Sequence, residues 1–344
     1  MHIRTSFLRF AGILVLMSYF FSSADASVKN DSLRIRIMFY NTENLFDACD
    51  DPLTDDNEFL PSGLRRWNIS RYRRKINSLY KTIIAAGEWD PPAIVAMCEV
   101  ENRRVLEDLV EETNLSYFDY GIVHEDSPDP RGIDVCLIYR KELVRIAGYR
   151  YYKPETDGEF HSRTILYTKC IIRDDTFHIL VNHWPSRRGG ILAGDELRDR
   201  ISSKAGEIAD SICASSSANQ KIIITGDFNC NPDDKAVKSL TTDAKGAERV
   251  FVNVSKCDRS KAPGTYRYQG TWELIDQFIV SEGLLKSTDG LFTRYDAFRI
   301  FDEDFLLVRD PKYPGSMPFS TYRGYRYQGG FSDHLPVLLD LGFH

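Results

Sequence analysis

Five separated segments of this chain share one arrangement: an apolar run of strand length ends and polar groups begin at once. Ile35–Tyr40 runs into Asn41-Thr42-Glu43, and Ile94–Cys98 into Glu99. Ile179–Val181 runs into Asn182-His183-Trp184, and Ile222–Thr225 into Gly226-Asp227-Phe228-Asn229. The fifth, Leu274–Val280, carries Asp276 within the run. A charge there is costly unless it is paired. Carboxylates at strand ends that converge on one rim can hold a hard cation through oxygen. Magnesium is typically bound by one or two carboxylates, with water and substrate phosphate completing the shell. Such a site needs no Cys/His box, and the chain has no C-x-x-C or Cys/His cluster of zinc spacing.

The segment Gly329–Asp340, GGFSDHLPVLLD, adds an imidazole. Asp333-His334 occupies a short loop before an apolar run that reads as a buried strand. The glycine pair ahead of it permits a sharp turn or a close backbone approach. A rigid strand behind such a loop is where reacting groups are usually held.

Strand and helix signals alternate along the chain without internal repeats. Strands are expected at Leu33–Tyr40, Ala93–Cys98, Tyr120–His124, Asp134–Tyr139, Ile165–Ile172, Thr176–His183, Lys221–Thr225, Leu274–Val280 and Leu335–Asp340. Helices are expected at Ser70–Ala86, where Tyr72, Ile76, Leu79, Ile83 and Ile84 form a stripe, and at Asn102–Glu112 and Glu196–Cys213. Many strands with few helices between them argue for an α+β fold of two packed sheets. The stretch Leu284–Tyr327 holds Pro311, Pro314 and Pro318 and lacks clear periodicity. It reads as a long surface excursion of the kind that shapes a substrate site.

The first 26 residues read as a secretory leader. Arg4 and Arg9 make a basic start, Phe10–Phe21 is an apolar stretch too short to span a bilayer, and Ala24-Asp25-Ala26 supplies a small-x-small cleavage pattern. An uncleaved anchor is the alternative. One domain over 27–344 follows, working in the periplasm or outside the cell, with no stable membrane insertion and as a monomer.

Composition excludes some classes. The net charge is −6, so a broad polyanion-binding surface is not expected, and contact with phosphate must be local or helped by a metal. Seven cysteines, an odd number in a large chain, argue against a disulfide framework. Cys98, Cys136 and Cys170 lie in apolar runs; one bridge among Cys49, Cys213, Cys230 and Cys257 stays open.

FYNTENLFD, MCEVEN, VNHWPSRRGG, ITGDFNCNP, LIDQFIVS and GGFSDHLPV, in this order, resemble the endonuclease/exonuclease/phosphatase superfamily. Its members include pancreatic deoxyribonuclease, abasic-site endonucleases, inositol polyphosphate 5-phosphatases and neutral sphingomyelinases. The resemblance runs from about Arg34 to Leu341. It implies a four-layer αββα sandwich with the site at one end of two sheets. It implies Mg2+ or Mn2+ as cofactor, with Ca2+ as an alternative structural or assisting ion. It makes Glu99 the principal metal-binding acid, with Glu43 and Asp333 as further metal-side carboxylates. Asp227 would orient or activate water, Asn229 would hydrogen-bond phosphate, and Asp276 and His334 would form an acid–imidazole dyad. His183 would be the second active-site imidazole of the deoxyribonuclease-like branch. Asn41 would lie beside metal and phosphate, and Arg163 resembles a phosphate-contacting arginine by a looser match.

Other features have plain readings beside functional ones. His124, His178 and His344 need no function. The run Arg65, Arg66, Arg71, Arg73, Arg74, Lys75 is either a polyanion patch or, as such runs more often are, the solvated face of an amphipathic helix. Arg187 and Arg188 follow the His183 motif and either reach phosphate or sit at the surface. Tyr322–Tyr327 offers rings and guanidinium groups that stack bases, fit a sugar or lipid headgroup, or pack. Hydrolysis of DNA or RNA is the leading reading. A phosphatase or phospholipase C-like activity on an inositol phosphate, sphingomyelin or another small phosphoester is the alternative, and a catalytically dead binding protein the third.

Overall fold

The isoleucine-rich runs send alternate side chains into two different cores. In a computed structural model, which describes residues 34–88, 90–155, 160–187, 191–215, 219–242, 250–257 and 260–344, Ile223 packs in one core and Ile222 and Ile224 in another. Ile179 and Val181 likewise part from Leu180, and Phe278 and Val280 from Ile279. A strand whose side chains point up and down by turns is covered here on both faces, which is why these runs lack polar alternation.

In chain order the strands and helices are β1 (Ile35–Leu45), α1 (Ile69–Ala86), β2 (Ile94–Val100), α2 (Arg103–Glu111), β3 (Tyr120–Val123), β4 (Asp134–Arg140), β5 (Arg145–Tyr152), β6 (Ile165–Ile172), β7 (Asp175–His183), α3 (Ile191–Ala214), β8 (Ile222–Asp227), α4 (Lys235–Thr241) and β9 (Phe251–Asn253). After these come β10 (Tyr266–Tyr268), β11 (Thr271–Glu273), β12 (Asp276–Ser281), α5 (Glu282–Leu285), β13 (Leu291–Ile300), β14 (Leu307–Arg309), β15 (Ser316–Pro318), β16 (Tyr322–Arg323), β17 (Arg326–Tyr327) and β18 (Val337–Phe343).

Two six-stranded sheets form, ordered β13-β18-β1-β2-β4-β3 and β5-β6-β7-β8-β12-β9. Each has one parallel pair at its centre, β1 with β2 and β7 with β8, and antiparallel neighbours elsewhere. The sheets pack face to face: Ile37, Ala96 and Leu137 of one share a core with Val181, Ile223 and Phe278 of the other. Ile76, Leu79 and Ile83 of α1 join that core, and α1 starts on Asn68, whose side chain accepts the Ser70 and Arg71 amides. Ile201, Ala205 and Ile208 of α3 and Val237 of α4 cover the second sheet. The result is the expected α+β sandwich. Among the described residues no helix is long and apolar enough to cross a membrane.

Three expectations change. The stretch 284–327 is not wholly a surface excursion, because β13 pairs with β18 and buries Leu291, Phe298 and Ile300. A register shift between Thr293 and Phe298 breaks its period, which hid it. β5 was not expected as a strand; it is a sheet edge with no buried stripe, so its sequence carries no alternation. Cys49, Cys213 and Cys230 are free thiols and form no bridge. Residues 1–26 lie outside the described residues.

Candidate active site

The two parallel pairs end at the same place. Parallel register sets Asn41 of β1 beside Cys98 of β2, so Glu99 comes next at the rim. It also sets His183 of β7 beside Asp227 of β8. β12 runs the other way and opens with Asp276 opposite Asp227. β18 begins just after His334, on the far side of β1. Five strands and one loop thus deliver six of the expected groups to one rim.

Backbone shape aims these groups. Glu99 has φ +59° and Asn229 φ +49°, a region that non-glycine residues seldom occupy and that clusters at functional sites. Gly226 has φ +155°, and a Cβ there would lie 2.2 Å from the Asn182 carbonyl oxygen. No other residue allows β7 and β8 to approach so closely.

Asn41 is the hub. Its Nδ2 lies 3.0 Å from Asp227 Oδ2, 3.3 Å from Glu99 Oε1 and 3.5 Å from His334 Nε2. His183 Nε2 is 3.7 Å from Asp227 Oδ2 and 3.8 Å from Glu99 Oε1. His334 Nδ1 is 2.8 Å from Asp276 Oδ2, and its Nε2 is 3.9 Å from Asp227 Oδ2. The Asn44 amide donates to Glu99 Oε2 at 2.9 Å, and the Asn229 amide to Asp227 Oδ1 at 2.9 Å.

Burial and charge set the protonation states. Burial works against a charged His334, but Asp276, Asp227 and Asp333 outweigh it and hold the imidazole well above its ordinary pKa. Burial, helped by Arg163, Arg131 and His334, drives His183 well below its ordinary value. One imidazole is therefore cationic at neutral pH and the other neutral. Burial, then the neighbouring Asp276 and Glu99, pushes Asp227 up to about 7 against the pull of His334.

The remaining expected residues fall into place less directly. Asn229 donates its side-chain amide to the Trp184 carbonyl at 2.9 Å. Asp333 adjoins His334 and acts electrostatically on it, on Glu43 and on Lys75. Glu43 also reaches away from the rim: its Oε2 accepts the Thr321 amide at 2.5 Å and its Oε1 the Tyr322 amide at 2.9 Å, which fixes the 321–322 segment. Arg163 differs from the expectation of a phosphate contact: its buried guanidinium donates to Asp129 Oδ2 at 3.0 Å and the Trp184 carbonyl at 2.9 Å, with Nε left without a partner, so it braces the site from below. Arg187 is exposed and paired with Asp234, and with Glu273 at 3.4 Å. Arg188 lies outside the described residues.

Three contributors escaped the sequence reading. Ser332 Oγ donates to the Asn41 carbonyl at 2.7 Å and accepts the His334 amide at 3.1 Å, locking the catalytic loop onto β1. The Tyr266 ring lies 4.9 Å from the His334 ring. Lys75 is buried and donates to Thr321 Oγ1 at 2.6 Å and the Phe331 carbonyl at 2.5 Å. Its place between Tyr72 and Ile76 on the apolar stripe of α1 was the available signal.

The donor set suits a hard divalent cation. Glu99 Oε1 and Asp227 Oδ2 each lie within 3.3 Å of Asn41 Nδ2, and Asp227, Asp276 and His334 offer ligand atoms within 4.8 Å of one another. Asp276 Oδ1 and His183 Nδ1 are buried without a hydrogen-bond partner, so the site has polar capacity in reserve.

Comparison with known proteins agrees. The family model described as "Endonuclease/Exonuclease/phosphatase family" matches residues 36–342. A search of the curated proteins finds no match. Among solved structures, the chain is similar to the human Nocturnin catalytic domain with bound sulfate anion, at 16% identity and TM-score 0.55 over 91% of this chain and 96% of that one. It is similar to a mannosyl-6-phosphatase of Bacteroides thetaiotaomicron, at 15% identity and TM-score 0.57 over 90% and 100%. It is also similar to D. rerio TDP2 complexed with single strand DNA product, at 12% identity and TM-score 0.52 over 90% and 99%. At these identities the likeness is one of fold.

Proposed function

The chain belongs to the endonuclease/exonuclease/phosphatase family, and from that premise we propose that it is an exported, divalent-metal-dependent phosphodiesterase acting on nucleic acid. Family members are hydrolases of phosphoesters that depend on a divalent metal. The observation that carries the reading is the position of Asn41, whose one amide nitrogen lies within 3.5 Å of Glu99, Asp227 and His334 together. Groups from both sheets thus face a space that one phosphate can bridge.

Glu99 would hold the cation, with water and substrate phosphate completing its shell. Such a cation, when bound, polarises a phosphoryl oxygen and stabilises charge as it develops. The protein's own groups do the rest. His334, kept cationic by Asp276, presents an N–H to a nonbridging oxygen. Asp227 is matched to taking a proton from water, since a base works best with a pKa near the working pH. His183, neutral, is free to pass a proton between water and the leaving oxygen. Asn41 and Asn229 add neutral donors. The leader motif at 1–26 supports export.

The net charge of −6 favours a second reading, a phosphatase or phospholipase C-like activity on a small phosphoester. A substrate panel separates the two. Plasmid DNA, RNA and oligonucleotides are set against mannose 6-phosphate, inositol phosphates and sphingomyelin. Nucleic-acid cleavage should exceed release of phosphate or phosphocholine. Rapid turnover of a small ester with nucleic acid left intact would overturn the nuclease reading. Secretion followed by N-terminal sequencing should give Ser27 as the first residue; retention of the leader would contradict export.

A further inference from the structure

Two basic stretches that the cleavage site does not use come together as one surface. Tyr322 Oη donates to the Arg65 carbonyl at 2.9 Å, and Arg65 Nη1 donates to the Gly324 carbonyl at 3.1 Å. The Arg71 guanidinium lies 4.4 Å over the Tyr327 ring, and that of Arg65 5.5 Å over the Tyr325 ring. The start of α1 and the β16–β17 hairpin are thereby interlocked.

This surface is cationic beyond what the fold neutralises. Arg66, Arg73, Arg74, Arg323 and Arg326 are exposed and have no carboxylate within salt-bridge distance among the described residues. The placement is locally unfavourable. Arg323 and Arg326 stand directly opposite across the hairpin, where like charges repel. Arg73 and Arg74 stand side by side on α1, whose first turn has no acidic residue. An anionic partner relieves the repulsion.

The surface is also fastened to the cleavage rim. Glu43, two residues past Asn41, holds the Thr321 and Tyr322 amides. Lys75 ties Thr321 to Phe331, which leads into Ser332, Asp333 and His334. Five charges spread over two elements exceed the needs of one small phosphoester. Arginine's planar fork suits phosphate, and the Tyr325 ring, 59% exposed, can stack only on a base that is not already stacked in a duplex.

We propose that this surface holds an extended single-stranded polynucleotide that leads into the cleavage site, its phosphates on the arginines and a base on Tyr325. The proposal rests on the phosphodiesterase reading above. Arg74 Nε donates to the Gly329 carbonyl at 3.1 Å in the loop before His334, but among the described residues Arg73, Arg323 and Arg326 make no side-chain hydrogen bond to that loop, so surface and site can be tested apart through them.

The test is fluorescence anisotropy of a labelled single-stranded 20-mer oligodeoxynucleotide with the purified full-length protein in EDTA, over a range of salt. Arg323→Glu/Arg326→Glu should weaken binding about tenfold or more and flatten the salt dependence by about 1.4, at ~0.7 per lost phosphate contact. Arg73→Glu, on the helix, should act the same way and guards against a misfolded hairpin. Tyr325→Ala should weaken single-strand binding and spare duplex binding. Turnover of bis-p-nitrophenyl phosphate with Mg2+ should stay within about twofold of wild type in every variant, as expected when only phosphate-positioning contacts are lost. Unchanged oligonucleotide binding in the arginine variants overturns the proposal, as does tighter binding of phosphatidylserine vesicles than of the oligonucleotide. Failure of the wild type to turn over bis-p-nitrophenyl phosphate sinks the cleavage reading instead, and the EDTA binding arm still decides the surface.

Discussion

His183 and His334 face the same carboxylates and are driven in opposite directions. The difference lies in what each ring's second nitrogen meets. His334 Nδ1 has Asp276 Oδ2 at 2.8 Å, whereas His183 Nδ1 is buried with no partner. One carboxylate thus separates a ring held cationic from one held neutral. Asp227→Ala and His334→Ala should each lower turnover of bis-p-nitrophenyl phosphate by ~10²–10³, the cost of removing one preorganised group, with circular dichroism unchanged. A variant retaining near-wild-type rate removes its residue from the mechanism. Glu101 shows the same physics without catalysis. Burial, then Asp47, Asp56 and Asp51, pushes its carboxyl up to about 8 although it accepts the Asp47 amide. The folded pKa is raised above the unfolded value near 4.5, so its contribution to stability is full below that pH and is lost as pH rises through 8. Glu101→Gln should therefore be more stable than wild type at pH 8.5 by on the order of 2 kcal/mol, and equal to it near pH 4. Urea melts in EDTA check this; a variant less stable at pH 8.5 contradicts it.

At the scale of elements, the site is a consequence of where parallel pairing stops. β1 with β2 and β7 with β8 each end at the rim, and the polar residues at those ends form the candidate site. The sequence showed this because a strand buried on both faces ends abruptly in polarity at Asn41, Glu99, His183 and Asp227. It did not show β5, whose exposed edge has no hydrophobic stripe, or β13, whose register slips. Glu43 and Arg163 were legible as polar residues near the motifs, but their partners, the Thr321 and Tyr322 amides and Asp129, are set by tertiary packing alone. Gly226 is the element-level point of failure. Gly226→Ala would force a Cβ to 2.2 Å from the Asn182 oxygen and should cost about 3 kcal/mol or more in urea unfolding. A change under about 1 kcal/mol would show that β7 and β8 can separate without penalty.

For the whole molecule, overall charge and local charge give different answers. A net charge of −6 speaks against a polyanion substrate, yet unpaired arginines collect on one surface beside the cleavage rim. Only the fold joins the start of α1 to the β16–β17 hairpin, far apart in sequence, so composition could not reveal it. The two-sheet sandwich was legible because six motifs fix its central strands; the substrate was not, since fold does not determine function. Central to the proposed chemistry is one divalent cation that Glu99 would hold at the junction of the sheets. The most direct measurement is turnover of bis-p-nitrophenyl phosphate by wild type and Glu99→Gln as Mg2+ or Mn2+ is titrated after EDTA treatment. Activity should vanish in EDTA, return with the cation, and fall by ~10² or more in Glu99→Gln. Turnover that persists in EDTA, or that Glu99→Gln leaves intact, would contradict it.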